Sequence, residues 1–344
     1  MKLNKKLCLL PLGLIFTSCS NLSSPITYGL YKAKIPNSLV SDAYYLNGFA
    51  LSNVDNANPY FVHNAFDYNG EAETDSLYLF RGNSYWTLCQ WWAPEEDDFI
   101  NASYSKDGNK HIYENYDRYF SVDTLTSEVK LNLNADSEYQ KRFGGARPVG
   151  ANWSHHLIEQ HFAPGNYIPV KDVLDKGKDL YIKYDVSIDK CDYLGDEPAK
   201  ESETAQLLCY FMVKYCPMVN SSRQAQGGFP QIIWFGVPVF DYRYSHTWTY
   251  ISEDSGQVGA TGAFVYNLDS SLYIGEQYQL NHTYNVDFAI GQYIKTAYEV
   301  GRQRGYLEGT SYEDMCLGYI SFGWEITGEF DCATTVKNLD AYIK

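Results

Sequence analysis

The sequence predicts a large antiparallel β-sandwich that carries one helix late in the chain. Short segments repeatedly alternate apolar and polar side chains, or are continuously apolar, as strands of packed sheets are. Turn signals rich in Gly and Asp separate these segments. Tyr, Phe and Trp make up 16% of the 344 residues, and these side chains favour pleated sheets.

Each predicted strand follows from its own pattern. Residues 181–188 alternate along a half-buried strand, and residues 207–215 are almost continuously apolar, as in a strand covered on both faces. The other predicted strands are residues 231–235, 248–251, 262–266 and 319–322. The predicted turns are residues 107–108, 194–196 and 254–256.

One segment has helical spacing instead. Between Val286 and Gln303, apolar residues recur three or four positions apart, and Gly301 and Gly305 follow as stop signals. A late helix among many strands predicts a sandwich with the helix laid on one sheet. Residues 20–80 are rich in Asn, Tyr and Asp, and they are predicted either as extra strands or as an N-terminal elaboration.

The first 18 residues predict an export signal. A basic start and a short apolar run end at small residues before Cys19, and the run is too short to span a bilayer. The stretch from Phe16 to Cys19 resembles a bacterial lipobox, in which the cysteine after the cut is lipidated. We therefore expect a lipoprotein that is anchored through Cys19 to the cell membrane or outer membrane and faces outside the cytoplasm. The alternative is an ordinary secretory signal with a chance cysteine.

The acidic composition restricts the class of ligand. The chain has a net charge of −15 at pH 7. Phosphate backbones and acidic polysaccharides bind through Lys and Arg, so the balance argues against nucleic acid and favours a neutral ligand. The surplus of Tyr and Trp suits surfaces on which sugar rings stack.

The Cys and His residues do not predict a metal site. The cysteines that follow Cys19 permit disulfides without fixing their pairing, and none shows zinc-type spacing. Cys209 and Cys216 lie in an apolar run, where buried thiols and bridges are equally expected. The histidines at 155, 156 and 161 form a dense cluster with Glu159, but their spacing fits no zinc pattern. The sequence predicts neither a metal nor a cofactor.

Residues 319–330 hold the candidate catalytic carboxyl group. Period-two alternation puts Gly323, Glu325 and Thr327 on one face of a strand, and Trp324 and Ile326 on the other. A carboxyl group among small residues on a concave sheet face can act as a general acid when its surroundings raise its pKa. The alternative is a solvated glutamate on the outer face of a strand.

This stretch resembles the C-terminal strand of glycoside hydrolase family 12, the endo-β-1,4-glucanases and xyloglucanases. Further segments resemble the same family in the same order: residues 86–92, 147–150, 167–170, 180–185, 231–236, 288–294 and 305–307. The resemblance covers about residues 80–344. It implies an all-β fold, an antiparallel β-jelly-roll sandwich of the concanavalin-like glucanase type with one helix packed on the outer sheet. It also implies that Glu325 is the acid/base residue.

The resemblance completes a division of the chain into four parts. We expect a signal peptide over residues 1–18, a lipid-anchored leash over 19–30, an N-terminal elaboration over 31–80 and the jelly-roll domain over 81–344.

The chain departs from the family at the position of the nucleophile. The family has a glutamate four residues before the tryptophan of a Met-Ile-Trp-Leu strand, and this chain has Pro230 there, with Gln231 beside it. The aspartate that the family places next to the nucleophile corresponds to Phe211. Retaining glycosidases need two carboxyl groups about 5–5.5 Å apart. Only Glu325 remains of the expected set.

Three hypotheses about function follow. In the first, the cleft binds a neutral, β-linked polysaccharide of β-glucan or xyloglucan type by aromatic stacking, without cutting it. The resemblance suggests five rings for this cleft, each with the hydrophobic core as its alternative: Trp86, Trp91, Trp92, Trp153 and Trp234.

The second hypothesis is an endo-acting hydrolase with a relocated second carboxylate. Asp241 is the candidate, and its alternative is a loop charge near Arg243; Glu253 and Asp254 lie near the next turn. An inverting pair about 6.5–9.5 Å apart would leave room for a water molecule. The third hypothesis is a non-catalytic structural or adhesive surface lipoprotein, because a fold does not fix a function.

Overall fold

The computed structural model describes residues 29–30, 37–52, 85–94, 98–162, 166–174, 177–196, 199–216, 231–255, 257, 260–275 and 277–344. The predicted export signal, Cys19 and Pro230 lie outside these residues. The strands are β1 (Gly29–Leu30), β2 (Phe49–Ser52), β3 (Trp86–Cys89), β4 (Ser103–Asp107), β5 (Lys110–Glu114), β6 (Arg118–Asp123), β7 (Glu128–Asn134), β8 (Ser154–His161), β9 (Asn166–Pro169), β10 (Leu180–Tyr193), β11 (Ala205–Tyr215), β12 (Ile232–Gly236), β13 (Phe240–Asp241), β14 (Tyr250–Glu253), β15 (Phe264–Asn267), β16 (Thr283–Ala289), β17 (Met315–Ile326) and β18 (Phe330–Ile343). The helices are α1 (Ala135–Phe143), α2 (Val170–Val173) and α3 (Gly291–Gln303).

The strands form two sheets that pack as a sandwich. The large sheet has the order β14-β15-β12-β11-β17-β8-β3-β2, with β13 paired to β11 and β9 paired to both β17 and β1. The small sheet has the order β16-β10-β18-β7-β6-β5-β4. Most neighbours are antiparallel, while β12 with β15, β2 with β3 and β1 with β9 are parallel. The predicted all-β sandwich is confirmed.

One hydrophobic core fills the space between the sheets. On β17, Ile320, Phe322 and Trp324 point into it, as period-two alternation requires. Trp324 is fully buried, and its Nε1 donates a hydrogen bond to the carbonyl oxygen of Leu131 in the small sheet at 3.1 Å. Burial of each such side chain contributes about 1.5–3 kcal/mol. The inward positions of β17 thereby fix which residues face outward on the same strand.

Residues 37–52 pack onto the same core. Leu39 and Phe49 are buried, and the ring of Tyr45 stacks on Phe49 at 5.5 Å. Strand β2 pairs in parallel with β3 and extends the large sheet. This segment therefore contributes a strand and core side chains.

The predicted helix begins later than the sequence spacing indicates. Residues 286–289 belong to β16, and α3 begins at Gly291. Val286 is opposite Tyr184 on β10, so strand pairing overrides the local helical spacing there. Within α3, Ile294 and Ala297 are buried against the core.

Helix α1 was not predicted, although its signals are in the sequence. The side chain of Asn134 accepts a hydrogen bond from the backbone N–H of Ser137, as an N-cap does. The helix ends at Gly144, whose φ of 70° is the left-handed conformation that glycine adopts readily. In the described part of the chain, no helix is long and apolar enough to cross a bilayer.

One disulfide joins the two central strands of the large sheet. It links Cys216, just after β11, to Cys316 on β17. Cys209, for which the sequence left thiol and bridge equally open, is a buried thiol in the core, as are Cys89, Cys191 and Cys332.

Candidate active site

Glu325 lies on the face of the large sheet that points away from the core. Directly opposite it are Gln206 on β11 and His155 on β8. Residues that face each other on neighbouring strands point to the same side of a sheet, so the three side chains form one row. The Glu325 side chain is 18% exposed. It is therefore largely desolvated and still accessible to a ligand.

Desolvation sets the charge state of this row. Burial, and to a smaller extent the nearby charge of Asp254, raises the pKa of Glu325 to about 8. Burial lowers the pKa of His155 to about 3. The distance between His155 Nε2 and Glu325 Oε1 is 4.0 Å, too long for a hydrogen bond. At neutral pH, Glu325 therefore holds a proton that it can donate, and His155 is uncharged.

Two of the predicted tryptophans pack against His155. The Trp91 ring is 5.5 Å from the imidazole, and the Trp153 ring lies 6.4 Å away and nearly parallel to it. Trp91 Nε1 donates to Ser52 Oγ at 3.2 Å, and the backbone N–H of Trp153 donates to Gln257 Oε1 at 3.3 Å. Both rings are half-buried. They form an aromatic wall next to Glu325.

Asp241 lies on the other side of Gln206 from Glu325, and its carboxylate is fully engaged. Gln206 Nε2 donates to it at 2.7 Å, and Thr204 Oγ1 donates at 2.8 Å. Arg243 adds two bonds through Nε and Nη2, at 2.9 and 2.6 Å, and a third through its backbone N–H at 3.1 Å. These five donors occupy the acceptor sites of a buried carboxylate. In this arrangement Asp241 pairs with Arg243 and is not available to activate a water molecule.

Asp254 is held at the hairpin loop between β14 and β15. The backbone N–H of Thr261 donates to its Oδ2 at 2.8 Å, and the Thr261 hydroxyl donates to the same oxygen. Trp234 Nε1 donates to Thr261 Oγ1 at 3.2 Å. Gln257 of the same loop accepts from Trp153. The loop therefore connects Trp234 on β12 with the aromatic wall beside Glu325.

Trp234 lies on the outer face with two tyrosines. Its ring is 5.7 Å from the Tyr319 ring and 6.4 Å from the Tyr210 ring. Its neighbours in sequence, Ile233 and Phe235, are fully buried in the core. The alternation along β12 thus turns Trp234 toward the outer face.

Trp86 does not line this face, contrary to the expectation from the family resemblance. It is 1% exposed, packs against Tyr45 and donates from Nε1 to the carbonyl oxygen of Asp42 at 3.1 Å. The pairing of β3 explains this, because Thr87 is opposite Glu159 on the outer face and Trp86 must point inward. Trp92 lies in the turn that follows β3, with a φ of 69°.

The expected nucleophile region lies away from Glu325. Gln231 lies near the C-terminal end of β11, whereas Gln206 lies near the start of that strand. The backbone N–H of Tyr215, the last residue of β11, donates to the carbonyl oxygen of Gln231 at 3.1 Å. Gln231 Nε2 donates to the carbonyl oxygen of Glu308 at 3.2 Å. Phe211, which stands where the family has an aspartate, is fully buried in the core. Neither residue supplies a carboxylate to the site.

The histidine cluster is divided by the alternation along β8. His155 points outward, whereas His156 is fully buried and its Nε2 lies 3.2 Å from the carbonyl oxygen of Tyr119. His161 is 3.6 Å from Glu159 on the outer face. Over the residues described, no three His, Cys, Asp or Glu side chains come together as a metal-ligand set.

Sequence reasoning missed the polar row next to Glu325. Tyr250, Asn267, Gly236 and Tyr210 are consecutive partners across four strands. A Cβ atom on Gly236 would lie 1.9 Å from Asn267 Oδ1, so glycine is what lets the Asn267 side chain approach Tyr210. Alternation along β17 could have placed Ser321, the partner of Tyr210, on the same face as Glu325, but residues on other strands require the pairing register.

A second aromatic surface borders this row. We call residues 242–250 the aromatic loop; Tyr242, Trp248 and Tyr250 in it are 42%, 54% and 56% exposed. The rings of Tyr244 and Trp248 are 4.2 Å apart, and the Arg243 guanidinium lies 5.0 Å from the Tyr244 ring. Since Asp241 fixes Arg243, the loop presents its rings in a defined arrangement.

Comparison with known proteins returns similarity only among solved structures. No family model matches the chain, and no curated protein matches it. A family 12 xyloglucanase from Bacillus licheniformis, solved with a ligand, is similar over 71% of this chain and 97% of its own, at 11% identity and a TM-score of 0.37. The xyloglucanase domain of a type three effector from Sinorhizobium fredii, in complex with cellobiose, is similar over 72% and 100%, at 10% identity and a TM-score of 0.34.

A cellulase derived from the Cel12A enzyme of Rhodothermus marinus is similar over 69% of this chain and 93% of its own, at 8% identity and a TM-score of 0.35. The Bacillus licheniformis enzyme is described as a member of family 12, the family that the sequence motifs resemble. The likeness is one of fold alone.

Proposed function

We propose that this protein binds a neutral, β-linked polysaccharide of β-glucan or xyloglucan type along the outer face of its large sheet. The observation that carries the proposal is the row at Glu325, where uncharged hydrogen-bonding groups lie beside the aromatic wall of Trp91 and Trp153. Aromatic faces stack on sugar rings, and a protonated carboxyl group and the Gln206 amide bond sugar hydroxyls. The net charge of −15 supports a neutral ligand.

The same proposal places the protein at the cell surface, tethered by a lipid on Cys19. The basic start, short apolar run and lipobox-like residues support it. In cells fed labelled palmitate, we expect label on the wild-type chain and none on Cys19→Ala. A Cys19→Ala chain that keeps both label and membrane association would contradict the anchor.

Hydrolysis is the second candidate, because Glu325 is protonated at neutral pH. Its proton would pass to the glycosidic oxygen as the C–O bond breaks, while a second carboxylate takes a proton from the attacking water. Asp254 suits the second role better than Asp241. The negative charge of Asp254 contributes to the raised pKa of Glu325, and Asp254 is not paired with an arginine as Asp241 is.

One experiment separates these candidates. The purified protein is run in gels containing xyloglucan, mixed-linkage β-glucan or soluble cellulose, and products are sought by mass spectrometry. Retardation without products supports binding alone. Products from the wild type that are absent with Glu325→Gln and Asp254→Asn support hydrolysis. Glu114→Gln, at an exposed position of β5 in the small sheet, is the matched control. If the protein showed no retardation and gave no products, the proposal would be overturned and the structural or adhesive hypothesis would remain.

A further inference from the structure

Two buried cysteines face each other in the small sheet. Cys191 on β10 is directly opposite Cys332 on β18, and their Sγ atoms are 3.5 Å apart. Directly opposed residues of antiparallel strands have Cα atoms about 4.5–5.5 Å apart. Disulfides span Cα separations of about 4.4–6.8 Å. The backbone therefore already has the spacing that a bond between these sulfurs needs.

We propose that Cys191 and Cys332 are oxidised to a second disulfide bond, across β10 and β18. Two S–H bonds break and one S–S bond forms. The two electrons and two protons pass to a small disulfide, such as oxidised glutathione, which is reduced to two thiols. The bond is independent of Cys216–Cys316, because that disulfide belongs to the large sheet and the Cys191–Cys332 pair belongs to the small sheet.

The order in which the two thiols react follows from how accessible each sulfur is to the small disulfide. Cys191 is 8% exposed and lines a cavity of about 350 Å³ together with Tyr242, Arg243 and Gln279, whereas Cys332 is fully buried. Burial raises the pKa of the Cys332 thiol well above its ordinary value, so this sulfur is a poor first nucleophile. Cys191 therefore attacks the oxidant first, and Cys332 then displaces the second thiol from the mixed disulfide.

The bond would constrain a large part of the chain. It closes a loop between positions separated by 141 residues, and long closed loops restrict the unfolded chain most. Strand β18 begins at Phe330, just after the turn that follows Glu325 and β17. A link at Cys332 would therefore fix the start of β18, which follows the strand that carries Glu325.

Peptide mapping tests the proposal directly. The protein is purified without reductant, incubated with oxidised glutathione, alkylated, and digested without reduction. We expect a linked peptide pair that contains Cys191 and Cys332, and the same pair in the Cys209→Ala control. Alkyl label on both Cys191 and Cys332 would overturn the proposal, as would a link from either cysteine to a different one.

Melting temperature provides a second measurement. In a Cys216→Ser/Cys316→Ser background, a reductant should lower the melting temperature by about 5 °C or more. With Cys191→Ser and Cys332→Ser added, the reductant should have no effect. An unchanged melting temperature in the first background, when mapping shows the cysteines unlinked, would overturn the proposal. The result does not depend on sugar binding, so it stands apart from the proposed function.

Discussion

Glu325 Oε1 and His155 Nε2 lie 4.0 Å apart at opposed positions of β17 and β8, and desolvation drives both groups toward their uncharged forms. A protonated His155 would favour the Glu325 carboxylate, but burial, in contact with two tryptophan rings, keeps the imidazole neutral. The Glu325 carboxyl group is therefore protonated, and its neighbours His155 and Gln206 are also uncharged. A neutral carboxyl group in this setting can either donate its proton in catalysis or form a hydrogen bond with a sugar hydroxyl.

The raised pKa of Glu325 makes stability fall as the pH rises from about 4.5 to about 8. The folded-state pKa of about 8 lies above the ordinary value of 4.5, so the folded protein binds more protons than the unfolded chain between these values. The stabilisation is complete below about pH 4.5 and is lost as the pH rises through 8. We expect Glu325→Gln to be more stable than the wild type at pH 9, on the order of 2 kcal/mol or more. Urea unfolding at pH 5 and pH 9 measures this, and equal pH dependence in both proteins would refute it.

The lowered pKa of His155 gives the opposite pH dependence of stability. The folded-state pKa of about 3 lies below the ordinary 6.5, so the unfolded chain binds more protons and stability falls as the pH drops from 6.5 toward 3. We expect His155→Gln to lose less stability than the wild type between pH 7 and pH 4.5. Thermal unfolding at the two pH values tests this, and an equal loss in both proteins would count against a neutral buried imidazole.

The sequence predicted β10, β11, β12, β14, β15 and β17 and the outward position of Glu325, because alternation within one strand reveals which face each residue takes. It did not predict the neighbours of Glu325, since His155 and Gln206 reach it only through strand pairing. Trp86 was assigned to the cleft by resemblance, although the register of β3 turns it inward. The first residues of the predicted helix are in β16, because pairing with β10 outweighs local spacing.

Gly323 supports the site through its backbone. Its φ is 150°, and a Cβ atom there would lie 2.3 Å from the carbonyl oxygen of His156 on the neighbouring strand. We expect Gly323→Ala to destabilise the fold by about 2 kcal/mol or more. Gly108→Ala is the control, since Gly108 also has a positive φ but has nothing within 4 Å of a Cβ atom. Similar losses in urea unfolding would show that close packing at Gly323 is unimportant.

Asp241 and Glu325 should respond differently to removal of their charge. Asp241→Asn leaves Arg243 without its partner carboxylate, so we expect a loss of stability of about 3 kcal/mol. Glu325→Gln should instead raise stability at pH 7, because the wild-type carboxyl group is ionised in the unfolded chain and must take up a proton when the chain folds. Chemical unfolding at pH 7 compares them. If Asp241→Asn kept wild-type stability but lost sugar products, Asp241 would be the second carboxylate.

Aromatic contacts should determine polysaccharide affinity if the proposed function holds. We expect Trp153→Ala and Trp248→Ala each to weaken binding to xyloglucan about 5- to 30-fold, because stacked rings contribute about 1–2 kcal/mol each. Trp153 lies beside His155, and Trp248 is exposed in the aromatic loop. Tyr116→Ala is the control, because Tyr116 is 82% exposed in the turn between β5 and β6. Titration calorimetry measures the affinities. Unchanged affinity in Trp153→Ala would remove the aromatic wall from the binding face, and unchanged affinity in Trp248→Ala would confine the ligand to the row at Glu325.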